Sequence, residues 1–230
     1  AGRPVLFSIC EWGTAKPWEW ASGIGHMWRT TADIDNCFDC ELDFGGFKKL
    51  GVMPIIDINE PLRQYAGPGH WNDPDMREVG NGMPLNQDRA HFTMWCMMAS
   101  PLILGNDIRN MSAETKAILL NKDVIAIDQD PLGIQGLRFK RESGLEFWFK
   151  PLENGDWAMC ILNRTLDDRT YDINWGSFDF YDQLSKRKTE LATVTYNVKN
   201  LWTGKMEGRT DKSRKVVVPA QDVVLYRLSK

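Results

Sequence analysis

Pro74 lies between two aspartates in His70-Trp71-Asn72-Asp73-Pro74-Asp75-Met76, directly after the turn Gly67-Pro68-Gly69. Proline has no amide hydrogen to donate and biases the residue before it away from helical backbone, so Asp73 and Asp75 do not belong to a helix interior. The segment reads as a short strand that stops and presents carboxylates at its end. The same arrangement recurs along the first half of the chain. The apolar run Pro4 to Cys10 is followed by Glu11, Met27 to Ile34 carries Asp33, and Pro101 to Gly105 is followed by Asn106-Asp107.

Between these strands lie segments of helical texture. Phe38, Leu42, Phe44, Phe47 and Leu50 predict a helix over 36–50, and 51–66 reads as a connection. Asn86 to Ser100 carries the strongest helical pattern, with Asn86 or Asp88 available as a cap, and Ser112 caps a further helix ending near Asn121. Alternating strands and helices imply a parallel sheet, and in a (β/α) barrel the functional groups sit at the carboxy ends of the strands. Four such units make half a barrel, which leaves two sheet edges and much apolar surface uncovered.

The texture changes after 128–136, which is rich in Asp, Gln, Pro and Gly. Segments 145–150, 157–162, 193–198, 216–218 and 223–228 read as short strands, and Glu153-Asn154-Gly155-Asp156 is a hairpin signal. The expected organisation is a barrel segment over 1–134 followed by an antiparallel β-sandwich over 135–230.

A net charge of −3 gives no reason to expect a nucleic-acid or anionic-membrane partner, and no apolar run approaches the roughly 20 residues of a membrane span. The amino terminus lacks the basic start and long apolar stretch of a signal peptide and enters a strand at once, as if the chain began inside a domain. His26, His70 and His91 have no metal-ligand spacing, and no metal or cofactor is expected. Five cysteines leave at least one unpaired within the chain. Cys37 and Cys40 form an isolated CxxC and are expected as thiols on a helix surface or in the core. Asn110-Met111-Ser112 and Asn163-Arg164-Thr165 match the glycosylation sequon.

Trp12, Trp28 and Trp71 stand beside Glu11, Asp33, Asp73 and Asp75 in the sequence. Carboxylates that grip hydroxyls or move protons, together with flat rings that stack on C–H faces, suit a sugar site. Arg29, four residues before Asp33, can hold a carboxylate ionised or grip a hydroxyl. Adjacency in sequence makes Asp73 and Asp75 the first candidates for a catalytic pair, but the residues alone do not assign the roles.

The segments Phe7-Ser8-Ile9-Cys10-Glu11-Trp12-Gly13, Trp28-Arg29-Thr30-Thr31-Ala32-Asp33-Ile34, Gly67 to Met76 and Asp123 to Gly133 closely resemble glycoside hydrolase family 27, and the likeness runs from residue 4 to the end. The resemblance implies the carboxy-terminal half of a (β/α)8 TIM barrel, strands five to eight, followed by an antiparallel β-sandwich. It also implies a retaining mechanism with two aspartates. Asp33 matches the family's general acid/base, Arg29 and Asp75 match substrate-binding residues, and Cys10, Glu11 and Trp12 match the segment beside the sugar. Asp73 is then a structural partner of the turn. Glu11 argues for a sugar with a 2-hydroxyl, hence removal of terminal α-linked galactose from oligosaccharides or glycoconjugates. The rivals are α-N-acetylgalactosaminidase or β-L-arabinopyranosidase activity within the family, or a non-catalytic carbohydrate-binding remnant.

Two departures stand out. The family's nucleophile follows the fourth barrel strand, ahead of anything that matches here, so the resemblance implies a partial enzyme. Its partners would be galactosides and the missing amino-terminal half of the barrel, with a homo-oligomer also open. Second, the cysteine that pairs with the Cys10 position in animal members is replaced at or near Gly25, which leaves Cys10 a free thiol. Family members suggest a secreted, periplasmic or lysosomal setting.

Overall fold

The computed structural model describes residues 2–230. Its first half comprises β1 (Ser8–Ile9), β2 (Met27–Arg29), β3 (Asp33–Ile34), β4 (Glu41–Asp43), β5 (Lys48–Leu50), α1 (Val52–Asn59), β6 (Trp71–Asp73), α2 (Leu85–Met97), α3 (Ala113–Leu119) and α4 (Lys122–Asp128). β1, β2 and β6 form a parallel sheet in that order, with Ser8 opposite Met27 and Met27 opposite Trp71. The expected fourth strand is reduced to one parallel bridge, Arg77 to Leu104. Ile103 spends its amide on a tight turn to the Pro101 carbonyl, 3.0 Å away, which removes it from the ladder.

Two expectations fail locally. The stretch 36–50 is a β-hairpin, β4 and β5, and not a helix. Gly45 and Gly46 both adopt positive φ, 77° and 121°, and Phe44 N–H donates to Phe47 O at 2.9 Å across the two-residue turn. The helix falls later, as α1, inside the segment read as a connection. β1 is an edge strand, and Val5, Leu6 and Phe7 beside it are exposed. Cys37 and Cys40, expected as thiols, are joined as a disulfide at the base of the hairpin. Cys10, Cys96 and Cys160 are free, the last two buried.

α2 is buried along its length from Ala90 to Met97, which explains an apolar pattern that runs almost round the helix. Neither proposed cap serves it. Asn86 Nδ2 donates instead to Ala220 O (2.8 Å), and Asp88 Oδ2 accepts from Gly80 N (3.0 Å). Ser112 does cap α3, accepting from Thr115 N.

The second half contributes β7 (Leu137–Glu142), β8 (Leu145–Pro151), β9 (Trp157–Asn163), β10 (Arg169–Ile173), β11 (Tyr181–Asp182), β12 (Arg187–Lys188), β13 (Asn197–Asn200), β14 (Met206–Arg209), β15 (Arg214–Val218) and β16 (Val223–Ser229). Six strands form an antiparallel sheet in the order β14-β13-β16-β9-β8-β7, and β10 pairs with β15. Successive strand residues point to opposite faces. In β8, Leu145, Phe147 and Phe149 therefore enter one core with Ile173, Val216 and Val218 of the second sheet. Trp148 faces the other way and joins the core built around α2. Both faces of the large sheet are covered, which is why every residue of β8 and β9 is buried.

Polar contacts fix the two halves together. Fully buried Lys150 donates from Nζ to Cys96 O at 3.0 Å, and its burial lowers its pKa. Arg138, Arg141 and Arg164 converge on Asp57 at 2.6, 2.6 and 2.8 Å. Arg89 Nε pairs with Asp222 Oδ1 at 2.8 Å. Among the described residues no helix is long and apolar enough to cross a membrane, and no His, Cys, Asp and Glu group could hold a metal. The Asn163 sequon is closed in the folded chain. Its side chain is buried and donates to Asp167 O, Val218 O and Pro219 O.

Candidate active site

The parallel strands all point their carboxy ends to one rim. Glu11 and Trp12 follow β1, Arg29 closes β2, Asp33 opens β3 four residues later, and Asp75 stands two residues beyond β6. Two of these carboxylates converge on one guanidinium nitrogen of Arg29. Arg29 Nη2 lies 2.7 Å from Asp75 Oδ2 and 3.1 Å from Asp33 Oδ1. Trp12 Nε1 donates to the same Asp33 oxygen at 3.0 Å. Asp33 Oδ2 is left with no hydrogen bond among the described residues. One carboxylate oxygen is therefore positioned by two donors, while the other is free to exchange a proton with a ligand.

Asp75 is held more tightly. Its Oδ2 accepts from Ile34 N–H (2.8 Å) and its Oδ1 from Met76 N–H (2.7 Å). Its carbonyl accepts from Trp95 Nε1 (2.8 Å), and its amide donates to Asp73 Oδ1 (3.0 Å). These bonds hold Asp75 at φ 88°, a conformation L-residues rarely adopt and one that persists only where the surroundings over-determine it. Asp73 is buried beneath, and burial pushes its carboxyl up to about 6 against the lowering effect of Arg29. It shapes the turn and does not face the rim as a partner of Asp75.

The loop after β1 is shaped by a close approach. Trp12 and Gly13 both take positive φ, 58° and 76°. A Cβ on Gly13 would fall 2.3 Å from the Thr30 carbonyl oxygen, so only glycine lets this loop lie against the end of β2 and carry Trp12 to Asp33. Glu11 Oε2 accepts from Thr14 Oγ1 (2.8 Å) and Ala15 N–H (2.6 Å), while Oε1 is buried with no hydrogen-bond partner among the described residues. Cys10 is exposed at the end of β1. A Cβ on Gly25 would meet Ile9 Cδ1 at 2.8 Å, so this position accommodates no cysteine opposite Cys10 without movement.

The structure gathers Trp12, Arg29, Asp33 and Asp75 into direct contact and leaves Glu11 and Cys10 on the neighbouring strand end. It removes two of the three aromatic candidates. Trp28 is fully buried and donates to Asn72 Oδ1 at 2.9 Å, and Trp71 opens β6 at its amino end, away from the rim, with its ring beside Gly133. Only Trp12 offers an exposed ring beside Asp33. Sequence reasoning missed Trp95, whose indole fixes the Asp75 carbonyl, because a tryptophan in an apolar helix reads as core alone. It also missed the Ile34 amide, since a backbone donor has no sequence signal.

Comparison with known proteins shows which family the chain is similar to. Residues 1–130 match the family model described as Alpha galactosidase A, and residues 142–228 match Alpha galactosidase C-terminal beta sandwich domain. Over 229 residues the chain is 52% identical to Alpha-galactosidase A of Cellvibrio japonicus, covering 100% of this chain and 56% of that protein. The crystal structure of alpha-galactosidase I from Mortierella vinacea superposes with a TM-score of 0.86 at 32% identity, covering 99% of this chain and 59% of that one. The Saccharomyces cerevisiae alpha-galactosidase solved with raffinose gives 0.85 at 28%, covering 99% and 64%. The chain spans about half the length of the curated relatives it matches.

Proposed function

The chain belongs to the alpha-galactosidase A family, and on that premise we propose that it supplies the acid/base half of a retaining glycosidase that removes terminal α-linked galactose. The supporting observation is the Arg29 bridge, which ties Asp33 and Asp75 together at the carboxy ends of parallel strands and leaves one Asp33 oxygen unoccupied. Asp33 protonates the glycosidic oxygen from Oδ2 and later draws a proton from water. Arg29 and Trp12 hold its other oxygen and so set the direction of transfer.

Asp75, Arg29, Glu11, Trp12 and Cys10 form the sugar-holding rim. Asp75 is a poor candidate for the attacking group, because both of its oxygens are engaged by Arg29, Ile34 and Met76. We place the nucleophile on the amino-terminal half of the barrel, which would also cover the exposed flank of β1. Glu11, on the strand end beside Trp12, is the residue we assign to the 2-hydroxyl of the sugar, which favours galactose over a 2-acetamido sugar. The barrel segment is assigned to 1–134 and the sandwich to 135–230.

The test is Asp33→Asn in the complete barrel enzyme. Turnover of an unactivated α-galactoside should fall by about 10²–10⁴-fold. Added azide should restore turnover of α-galactosyl fluoride, which needs no acid, and yield α-galactosyl azide with retained configuration. Turnover of the unactivated substrate at the unaltered rate would refute the assignment.

A further inference from the structure

β3, the strand that carries Asp33, is not laddered to the parallel sheet of β1, β2 and β6. It is two residues long, and its only strand partner among the described residues is β5, with Asp33 opposite Lys49 and Ile34 opposite Leu50. Asp35 N–H adds a bond to Leu50 O at 2.8 Å, and Ile34 N–H ties the strand to Asp75 Oδ2 at 2.8 Å. Trp12 and Arg29 grip the Asp33 side chain, not its backbone. The backbone of the acid is therefore placed chiefly by the hairpin β4–β5.

The base of that hairpin is cross-linked. Cys37, four residues after Asp33, is joined to Cys40, which directly precedes β4. The carbonyls of the cross-linked loop face the start of α1. Cys40 O accepts from Gly51 N–H at 2.8 Å, Cys37 O from Val52 N–H at 3.0 Å and Phe38 O from Met53 N–H at 2.9 Å. The first amides of a helix have no partner within it, and no side chain caps α1, so the loop satisfies them. Gly51 permits the approach, because a Cβ there would fall 2.8 Å from both Cys37 O and Cys40 N. At the far end of α1, Asn59 Oδ1 accepts from Thr30 Oγ1 at 3.0 Å, next to Arg29. One run of bonds thus leads from the strand of the acid, through the cross-linked loop and α1, to the end of the strand that carries the arginine.

We propose that the Cys37–Cys40 disulfide is a positioning element for the acid: it holds the 37–40 loop against α1 and, through β5, fixes where Asp33 stands relative to Arg29. The inference rests on the functional reading above and adds to it a pair of residues outside the rim. Without the cross-link the loop gains backbone freedom, and arrangements in which its three carbonyls all face α1 become a minority. Each bond lost there frees the junction between β5 and α1, and β5 is the strand with which β3 is paired. Proton transfer requires the acid within hydrogen-bond reach of the glycosidic oxygen, and a displacement of about 1 Å can cost about 10²-fold in rate.

The experiment measures kcat/KM for an unactivated α-galactoside and for α-galactosyl fluoride, on the complete enzyme and on its Cys37→Ser/Cys40→Ser variant. For both substrates this quantity covers the steps up to the glycosyl-enzyme, which require the acid for the galactoside and not for the fluoride. The ratio of galactoside to fluoride should fall about tenfold in the variant, a part of the roughly 10²–10⁴-fold that an acid supplies. A purely structural role lowers both values together and leaves the ratio where it was. Reduction of the unaltered enzyme by a dithiol, which closes to its own cyclic disulfide as each cysteine sulfur gains a hydrogen, should lower the ratio in the same way. Far-ultraviolet circular dichroism should show the fold retained, and the mass of the alkylated chain should show both cysteines reduced. Equal falls on both substrates, an unchanged ratio, or loss of the fold in both the variant and the reduced enzyme overturns the proposal. If the unaltered enzyme turns over neither substrate, the functional reading fails, and this inference with it.

Discussion

Replacing Arg29 with methionine should be among the most destabilising single changes on the rim. The Arg29 side chain is 9% exposed and the Asp75 side chain 12%, so the 2.7 Å pair between them is shielded from water. Removing the cation leaves Asp75 Oδ2 with only the Ile34 amide, and an ion left unpaired in such a site costs about 3–5 kcal/mol. The Asp33 side chain, at 35% exposure, is partly solvated, and its bond to Arg29 adds about 0–1 kcal/mol. Arg29→Met should therefore lower unfolding free energy by about 3–5 kcal/mol near neutral pH. The assay is urea unfolding of the purified protein followed by tryptophan fluorescence and far-ultraviolet circular dichroism, with coincident transitions required. Adding Asp75→Asn to Arg29→Met should recover about 1–2 kcal/mol by removing the stranded charge. Recovery is incomplete because asparagine presents one acceptor to two backbone amides, Ile34 and Met76. A loss below about 1 kcal/mol, or a double variant no more stable than Arg29→Met, would refute the view that Arg29 holds the two carboxylates together.

Two further outcomes test the fold around this site. Burial raises Asp128 from 3.8 to about 7, despite the nearby cations Lys150 and Arg77, so the folded chain holds a proton that the unfolded chain releases above about pH 4. The associated stability is complete below that point and is lost as pH rises through about 7, so the advantage of Asp128→Asn over the natural chain should grow by about 3 kcal/mol from pH 5 to pH 8; an advantage independent of pH would contradict this. Alkylation without reductant should label only Cys10 in the native protein, with Cys96 and Cys160 reacting after unfolding and Cys37 and Cys40 only after reduction; mass spectrometry of the labelled chain gives the count.

The strand ends were legible because their signals are local and chemically strong. Proline between Asp73 and Asp75 excludes a helix, and an apolar run followed by an acid marks a strand end at β1 and β2, though at Pro101 to Gly105 it leaves only the Arg77–Leu104 bridge. The hairpin was not legible as read, since Leu42, Phe44, Phe47 and Leu50 also fit a helical stripe. Gly45-Gly46 between two alternating runs was the competing signal, and it prevails because two adjacent positive-φ residues close a two-residue turn at no steric cost. Trp28 shows a different limit. Its neighbours in sequence are site residues, but β2 is the middle strand of its sheet, and its side chain points to the packed face. Adjacency along a strand places consecutive side chains on opposite faces, so sequence proximity to an acid carries little information about contact with it. Asp73 and Asp75, two residues apart, would share a face on a continuous strand; they part because β6 ends at Asp73 and Asp75 lies beyond it at φ 88°.

The sandwich takes part in holding the site, and consecutive residues of α2 show how. Trp95 reaches the Asp75 carbonyl through its indole nitrogen, and the carbonyl of the next residue, Cys96, accepts the buried ammonium of Lys150 from β8. Trp148, Cys160 and Leu225 of the large sheet pack in the same core as Trp95 and Cys96. α2 is therefore a shared wall, with the strained turn of Asp75 on one side and the sandwich on the other. A helix buried all round draws its position from both neighbours, because its apolar surface is satisfied only when both are in place. Asp75 at φ 88° is costly by itself, and the bond from Trp95 helps to hold it there. Displacing the sandwich would loosen α2, release the Asp75 carbonyl and let the Arg29 bridge relax, although no residue of the sandwich contributes a side chain to the rim.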